Sequence, residues 1–419
     1  MIPFNTFLIL YLLIYLLSSV SELAIEKING AYIKKHGEKV PLAFKGVIDK
    51  GELRKMNQYT LDNTHFTLVH RVVSMIVFLF IILSGVLPWL HESLSDANFV
   101  LAGLIFFAVP ALLGATAGLP FDYYHSFVIE ERYGFNTKTR RVWVSDLLKS
   151  LLLTSILGTI LLSCLFFLVR HLGHTWWIWA WAMFFCFQLL MTILYPVLIA
   201  PLFNKFVPLE DPELASKIKA LAEGEGVSIK GISQMDATKR SLHTNAYFSG
   251  LGKTKRIVLF DSLIQSHEVD EIVAVLAHEI GHLKKGHLKK QLAISSLVSI
   301  VLFFLASKMI TWEGMFQGFG FSDMPPYVGL FLVGVLWQPA GFFLSPIVMA
   351  VSRTFEREAD MYAIRISGMS APFLRALKRM AKDNLSNLRP HPLYVWLNYS
   401  HPPLIDRIRR IKDHESHRT

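Results

Sequence analysis

Seven stretches of the chain are apolar almost throughout and long enough to cross a bilayer, which takes about 20 residues of helix. They are residues 3–20, 72–90, 99–119, 151–169, 176–202, 292–310 and 328–351. A cleaved signal peptide is the alternative for the first run, but no positively charged side chain precedes it, as a signal peptide requires. Basic residues alternate between the connecting segments. Residues 21–71 hold Lys34, Lys35, Lys39, Lys45, Lys50, Arg54 and Lys55, and the third loop holds Arg132, Lys138, Arg140, Arg141 and Lys149. Residues 204–290 and everything from Arg353 onward are also rich in Lys and Arg. Loops 91–98, 171–175 and 311–327 contain neither, and Arg170 and Lys308 sit at span ends, where long side chains snorkel. The positive-inside rule then predicts an outside amino terminus and a cytoplasmic carboxyl terminus.

Composition agrees with a membrane protein. Hydrophobic residues make up 53% of the 419 and charged residues 18%, against about 25% in soluble domains. The net charge of +10 reads as basic cytoplasmic loops. No basic stripe is interleaved with aromatics, so nucleic acid is not an expected partner. Cys164 and Cys186 both lie inside apolar runs, which excludes a disulfide framework or a cysteine-rich metal site. Any metal must be held by histidine and carboxylate.

Such residues occur in the first large polar segment. His278-Glu279-Ile280-Gly281-His282 is an H-E-x-x-H pattern within residues 268–286, whose apolar positions Val269, Ile272, Val273, Leu276, Ile280 and Leu283 fit one helical face. One turn apart, His278 and His282 reach one metal, and Glu279 lies close enough to take a proton from water there. Gly281 leaves room for another backbone. His287, about 180° from His278 on a continuous helix, is not expected to be a ligand. A catalytic zinc needs a third protein ligand and an open position. The carboxyl-terminal segment offers Glu356-Arg357-Glu358-Ala359-Asp360. Glu356 and Asp360 share a helix face, and Glu358 points away. Glu356 is the expected ligand, and Asp360 the carboxylate that orients a liganding histidine through its other ring nitrogen.

These motifs resemble the CAAX prenyl protease 1 family of integral-membrane zinc proteases. The likeness covers Tyr123-Tyr124-His125-Ser126-Phe127-Val128-Ile129-Glu130-Glu131 with Tyr133-Gly134-Phe135-Asn136, then Ile199-Ala200-Pro201-Leu202-Phe203-Asn204-Lys205, Asn245-Ala246-Tyr247-Phe248 and Arg256-Ile257-Val258-Leu259-Phe260-Asp261. The H-E-x-x-H helix, Glu356 to Asp360, and Ser400-His401-Pro402-Pro403 complete it. The resemblance implies a mainly α, seven-span transmembrane protein with a cytoplasmic zincin-like metalloprotease domain containing a small β-sheet. The expected segments are a five-span membrane region at 1–203, a metalloprotease segment at 204–290, a two-span hairpin at 291–352 and a third-ligand segment at 353–419. One zinc ion is the expected cofactor, and the partners are membrane lipid and a peptide or protein substrate, with or without a prenyl group.

The resemblance also implies a short strand over 245–248 before a strand over 256–264. An exposed edge strand holds extended peptides through its main chain. Asn245, Ala246 and Tyr247 are then substrate-binding, with Asn245 a donor or an acceptor. His401 stabilises the oxyanion, and Arg407 braces either Glu356 or the substrate. A water-filled chamber among the spans is implied too. Gln188 and Gln338 fit a wet interior, or bonds between helices. The short segment between the zinc helix and Glu356 favours a bacterial inner membrane, with the endoplasmic reticulum as the alternative. A quality-control metalloprotease of HtpX type is the rival function.

Overall fold

The computed structural model describes residue 2 and residues 4–249 and 256–416. Among these, seven helices are long and apolar enough to cross a membrane: Thr6–His36, Lys50–Leu83, Phe99–Tyr133, Arg140–His171, Gly173–Phe203, His287–Met309 and Pro326–Ser367. Each apolar run of the sequence falls in one of them. The second run differs in extent. Its helix ends at Leu83, Gly85 adopts φ 85, and Val86–Ser93 forms a separate short helix. Ser84 and Gly85 are too few to interrupt the hydropathy, yet they suffice to turn the chain.

Several helices outlast their apolar runs, because helix formation needs a packing partner and not lipid. The second span begins at Lys50 behind a capping box of Asp49 and Glu52. Its polar half docks on the third span: Tyr59 donates to Glu130 at 2.6 Å, and Asp62 accepts from Arg132 at 2.7 Å and Tyr133 at 2.8 Å. The seventh span is a single helix of 42 residues. At a rise of 1.5 Å per residue it is about 63 Å long, twice the roughly 30 Å hydrocarbon core of a bilayer. Its last third therefore projects beyond the membrane, carrying Glu356 and Asp360.

Between the fifth and sixth spans lies a four-stranded mixed sheet. Its strands are β1 (Phe206–Pro208), β2 (Gly231–Met235), β3 (Ala246–Ser249) and β4 (Arg256–Phe260), in the order β1-β2-β4-β3. β4 runs parallel to β2 and antiparallel to β3, which pairs Ala246 with Leu259 and leaves β3 at an edge. The strand expected over 256–264 stops at Phe260. Asp261 turns the chain there, its carboxylate accepting from the backbone of Thr238 and of Ser262, both at 2.9 Å, and Asp261–Ser266 is helical.

The helix Val269–Lys284 packs on one face of this sheet, burying Ile272, Val273 and Leu276 against Ala246, Ile257 and Leu259. Its opposite side enters a second core. There Ala274 and Ala277 meet Phe44, Met56, Ile129 and Phe135 from the amino-terminal half and Phe373, Leu377 and Ile408 from the carboxyl-terminal end. The site is thus built where all parts of the chain converge. Elsewhere in the spans, Gln188 donates to Ser295 at 2.9 Å, a bond between the fifth and sixth spans.

Candidate metal centre and its cleft

Two helices supply the centre. The helix Val269–Lys284 starts at a capping box of Glu268 and Glu271. Glu271 is fully buried and held by Arg375 and Arg379, each at 3.4 Å, on the helix Ser370–Asp383. Gly281 sets the spacing to the seventh span. A Cβ there would lie 2.9 Å from the backbone oxygen of Ala359 and 3.0 Å from its Cα. The two backbones come this close only because position 281 has no side chain.

The contact brings His278, His282 and Glu356 together. The two Nε2 atoms are 3.1 Å apart. His278 Nε2 is 3.4 Å from Glu356 Oε2, and His282 Nε2 is 3.3 Å from Glu356 Oε1. Ligand atoms about 2.0–2.1 Å from one tetrahedral zinc lie about 3.3–3.4 Å from each other, so this donor set fits that ion. Glu356 Oε2 is buried without a hydrogen-bond partner, which points to a cation. Among the described residues no other group of three histidines, cysteines or carboxylates is so disposed.

Around this trio lies a ring of orienting groups. Asp360 Oδ1 is 2.8 Å from Nδ1 of His278. Burial works against charge on His278, but Asp360 and then Glu356 outweigh it and push its pKa up to about 9. Arg407 grips Asp360 with both arms of its guanidinium, Nε to Oδ2 at 2.9 Å and Nη2 to Oδ1 at 2.6 Å. It therefore braces Asp360 directly, and Glu356 only through the shared charge of the site, because the planar fork matches both oxygens of one carboxylate. His401 Nε2 is 3.3 Å from Glu356 Oε1 and its Nδ1 is 2.9 Å from Ser400 Oγ, with 60% of the side chain exposed.

Two orienting groups were not evident in the sequence. The helix stops before Gly286, which takes φ 66, and His287 begins the sixth span. The continuous-helix angle therefore does not apply. His287 stays outside the trio, but its Nδ1 meets Nδ1 of His282 at 2.9 Å and its Nε2 meets Glu358 at 3.1 Å. Arg353, at the end of the seventh apolar run, donates to the carbonyls of Val395 at 3.0 Å and Tyr399 at 2.7 Å, anchoring the backbone that leads to His401.

A cleft of about 580 Å³ opens on the centre. His278, Glu279, His401 and Arg407 line it on one side, and Asn245 and Ala246 on another. Burial raises the pKa of Glu279, an effect that His278 and His282 oppose. Asn245 is exposed, with its Oδ1 accepting from the backbone of Ala246 at 2.8 Å. Tyr247 does not line the cleft. Successive strand residues face opposite sides, and its ring packs with Met235 and Val258 on the other face of the sheet.

The segment before β3 is clamped. His243 Nε2 lies 3.1 Å from Glu130, in a π-helical turn of the third span. Its Nδ1 lies 3.1 Å from Asn384 Oδ1, which also accepts from Thr244 N at 3.0 Å.

Comparison with known proteins decides the lineage. Residues 30–205 match the family model "CAAX prenyl protease N-terminal, five membrane helices", and residues 208–415 match "Peptidase family M48". The chain belongs to the CAAX prenyl protease 1 family. It is 36% identical over 382 residues to the CAAX prenyl protease 1 homolog of Arabidopsis thaliana, covering 89% of this chain and 90% of that one. It is 34% identical over 407 residues to CAAX prenyl protease 1 of Saccharomyces cerevisiae, covering 90% and 89%. The crystal structure of S. mikatae Ste24p matches with a TM-score of 0.88 at 31% identity, over 96% of this chain and 99% of that one. As a CAAX prenyl protease family member the chain is a multi-pass membrane metalloprotease acting on peptide or protein substrates, and the family places it there rather than among HtpX-type enzymes.

Proposed function

We propose that the chain is a zinc endopeptidase that cuts near the carboxyl terminus of prenylated proteins. The observation that carries this reading is one cleft lined by Glu279 and by His278 of the His278, His282, Glu356 trio on one side and by Asn245 and Ala246 at an edge strand on another. His278, His282 and Glu356 hold the zinc, which supplies Lewis acidity at the scissile carbonyl. Asp360 and Arg407 fix the His278 ring. The substrate lies extended beside β3, with Asn245 and Ala246 offering main-chain hydrogen bonds and Tyr247 contributing backbone only. Glu279 takes a proton from the attacking water and returns it to the leaving amine. His401, exposed in the cleft, donates to the oxygen that gains negative charge.

The alternating basic loops support a cytoplasmic zinc site and an outside amino terminus, whether the membrane is a bacterial inner membrane or the endoplasmic reticulum. The two family models meet between residues 205 and 208, which supports a boundary between the five-span region at 1–203 and the metalloprotease segment at 204–290; the hairpin at 291–352 and the closing segment at 353–419 complete the proposed division. The prenyl preference is tested with purified protein, a farnesylated CAAX peptide and its unprenylated twin. Cleavage of the farnesylated peptide alone is expected. Equal cleavage of both makes the chain a general membrane endopeptidase on this scaffold.

A further inference from the structure

Beside the catalytic cleft lies a second cavity of about 760 Å³, and Pro403 lines both. One short segment also serves the two spaces: Ser386 and Asn387 line the cleft, and Leu388, Arg389 and Pro390 line the cavity. We propose that this segment receives the free carboxyl terminus of the peptide substrate. Asn387 donates to the last main-chain carbonyls, and Arg389 pairs with the terminal carboxylate. The inference rests on the reading that the chain cuts near a carboxyl terminus.

Unpaired donors are the first ground. Asn387 accepts with Oδ1 from the backbone N–H of Arg389 at 2.9 Å, and its Nδ2 is buried with no partner. The guanidinium of half-buried Arg389 makes no hydrogen bond, ion pair or ring contact among the described residues, and its Nε is buried. A buried donor left unpaired is costly, so each needs an acceptor from outside the fold. Two such donors, two residues apart and one on each space, call for a ligand with successive acceptors. A peptide that ends in a carboxylate has them. The backbone agrees. Leu385 is buried with φ 47, the one non-glycine with positive φ among the described residues. Strain of this kind collects at ligand clamps. Here it turns the chain out of the helix Ser370–Asp383 and into Ser386 and Asn387.

Charge is the second ground. Among the described residues lining the cleft, Arg407 is the one lysine or arginine, and Asp360 takes both arms of its guanidinium. The cleft therefore has no free side chain of that kind to meet a carboxylate. The cavity has a surplus: Arg389, Arg409 and Lys412 against Asp406 alone. Asp406 lies 3.3 Å from Arg409, and Lys412 is exposed with no ion pair among the described residues. An arginine fork matches the two oxygens of a carboxylate. Each extended residue spans about 3.3–3.6 Å, so a terminus a few residues past the cut bond falls outside the metal centre.

The test compares a farnesylated CAAX peptide that ends in a free carboxylate with its carboxamide. Both are labelled and titrated by fluorescence anisotropy against the zinc-loaded Glu279→Gln full chain, so the result does not depend on whether the peptide is cut. The acid should bind about tenfold more tightly, as befits a hydrogen-bonded charge. Adding Arg389→Gln should erase that preference by weakening the acid alone, with the amide and the melting temperature unchanged. Adding Arg389→Lys, which keeps the charge and loses the fork, should keep part of it. Adding Asn387→Ala should weaken both peptides alike, by about fivefold, because both carry the main-chain carbonyls. Equal binding of acid and amide, no binding of either, or an equal loss of both on Arg389→Gln overturns the proposal. An acid preference with no cleavage of the acid by the wild type leaves this site standing and overturns the endopeptidase reading instead.

Discussion

Nδ1 of His287 lies 2.9 Å from Nδ1 of His282, on the side of that ring away from the Nε2 that faces Glu356. With Glu358 at 3.1 Å behind His287, the chain Glu358–His287–His282 holds the second imidazole as Arg407–Asp360 holds the first. Outer partners of this kind are worth about 10–100-fold in metal affinity. His287→Ala should therefore weaken zinc binding by about that factor in a chelator competition, with the fold kept by circular dichroism. Unchanged affinity would make His287 a packing residue on Phe355 only.

Gly281 touches the backbone of Ala359 closely enough that any Cβ forces the two helices apart. Overpacking of this kind costs about 1–3 kcal/mol. Gly281→Ala should lower the melting temperature and also draw Glu356 away from the histidines. The second effect separates this from ordinary destabilisation: zinc should be lost at temperatures where the variant is still folded. A variant that binds zinc like the wild type contradicts the account.

His278 gives a pH dependence. Asp360 and Glu356 overcome burial and raise it to about 9 in the metal-free protein, above its unfolded value of about 6.5. The stability this gives the metal-free protein is fully present below about pH 6.5 and is lost as pH rises through about 9. Zinc must displace that proton, so its affinity should rise about tenfold per pH unit toward about pH 9 and then level. Asp360→Asn should move the plateau to lower pH. A flat profile between neutrality and pH 9 is inconsistent with a protonated His278.

His243 ties the edge strand to the membrane region through Glu130 and to the helix Ser370–Asp383 through Asn384. Losing such a hydrogen bond costs about 1–3 kcal/mol in order where the group is buried, less where it is half-exposed. His243→Ala should loosen the segment before β3 and raise KM for peptides about five- to tenfold. The turnover number should hold, since no reacting atom is touched. A fall in kcat at unchanged KM would place His243 in the chemistry.

The seven spans are legible because lipid demands apolar side chains on every face of a helix, and nothing else in the chain has that composition. The alternation of basic loops is legible for the same reason. What hydropathy does not mark is where a helix continues. Lys50 to Arg71 is polar yet helical, and the seventh helix runs through Glu356 and Asp360 without a break. The H-E-x-x-H spacing places His278 and His282 on one turn, and Glu356 stands out as an acidic residue after a span. His287 is outside the metal trio as expected, but its contact with His282 is not legible from a helical wheel, because Gly286 ends the helix. Glu358 does point away from the metal site, toward His287. The Glu130–His243–Asn384 clamp joins residues more than a hundred positions apart, and no local spacing encodes that. Its trace in the sequence is the Val128 to Asn136 stretch, which neither the zinc motif nor the spans explain.

One zinc held by His278, His282 and Glu356, with Glu279 as the base, is tested by measuring zinc per chain and peptide cleavage together in Glu279→Gln and Glu356→Gln. Glu279→Gln should keep its zinc and lose about 10²–10⁴-fold in turnover. Glu356→Gln should lose the zinc itself. Full turnover by zinc-loaded Glu279→Gln, or a full zinc complement of wild-type affinity in Glu356→Gln, would contradict the account.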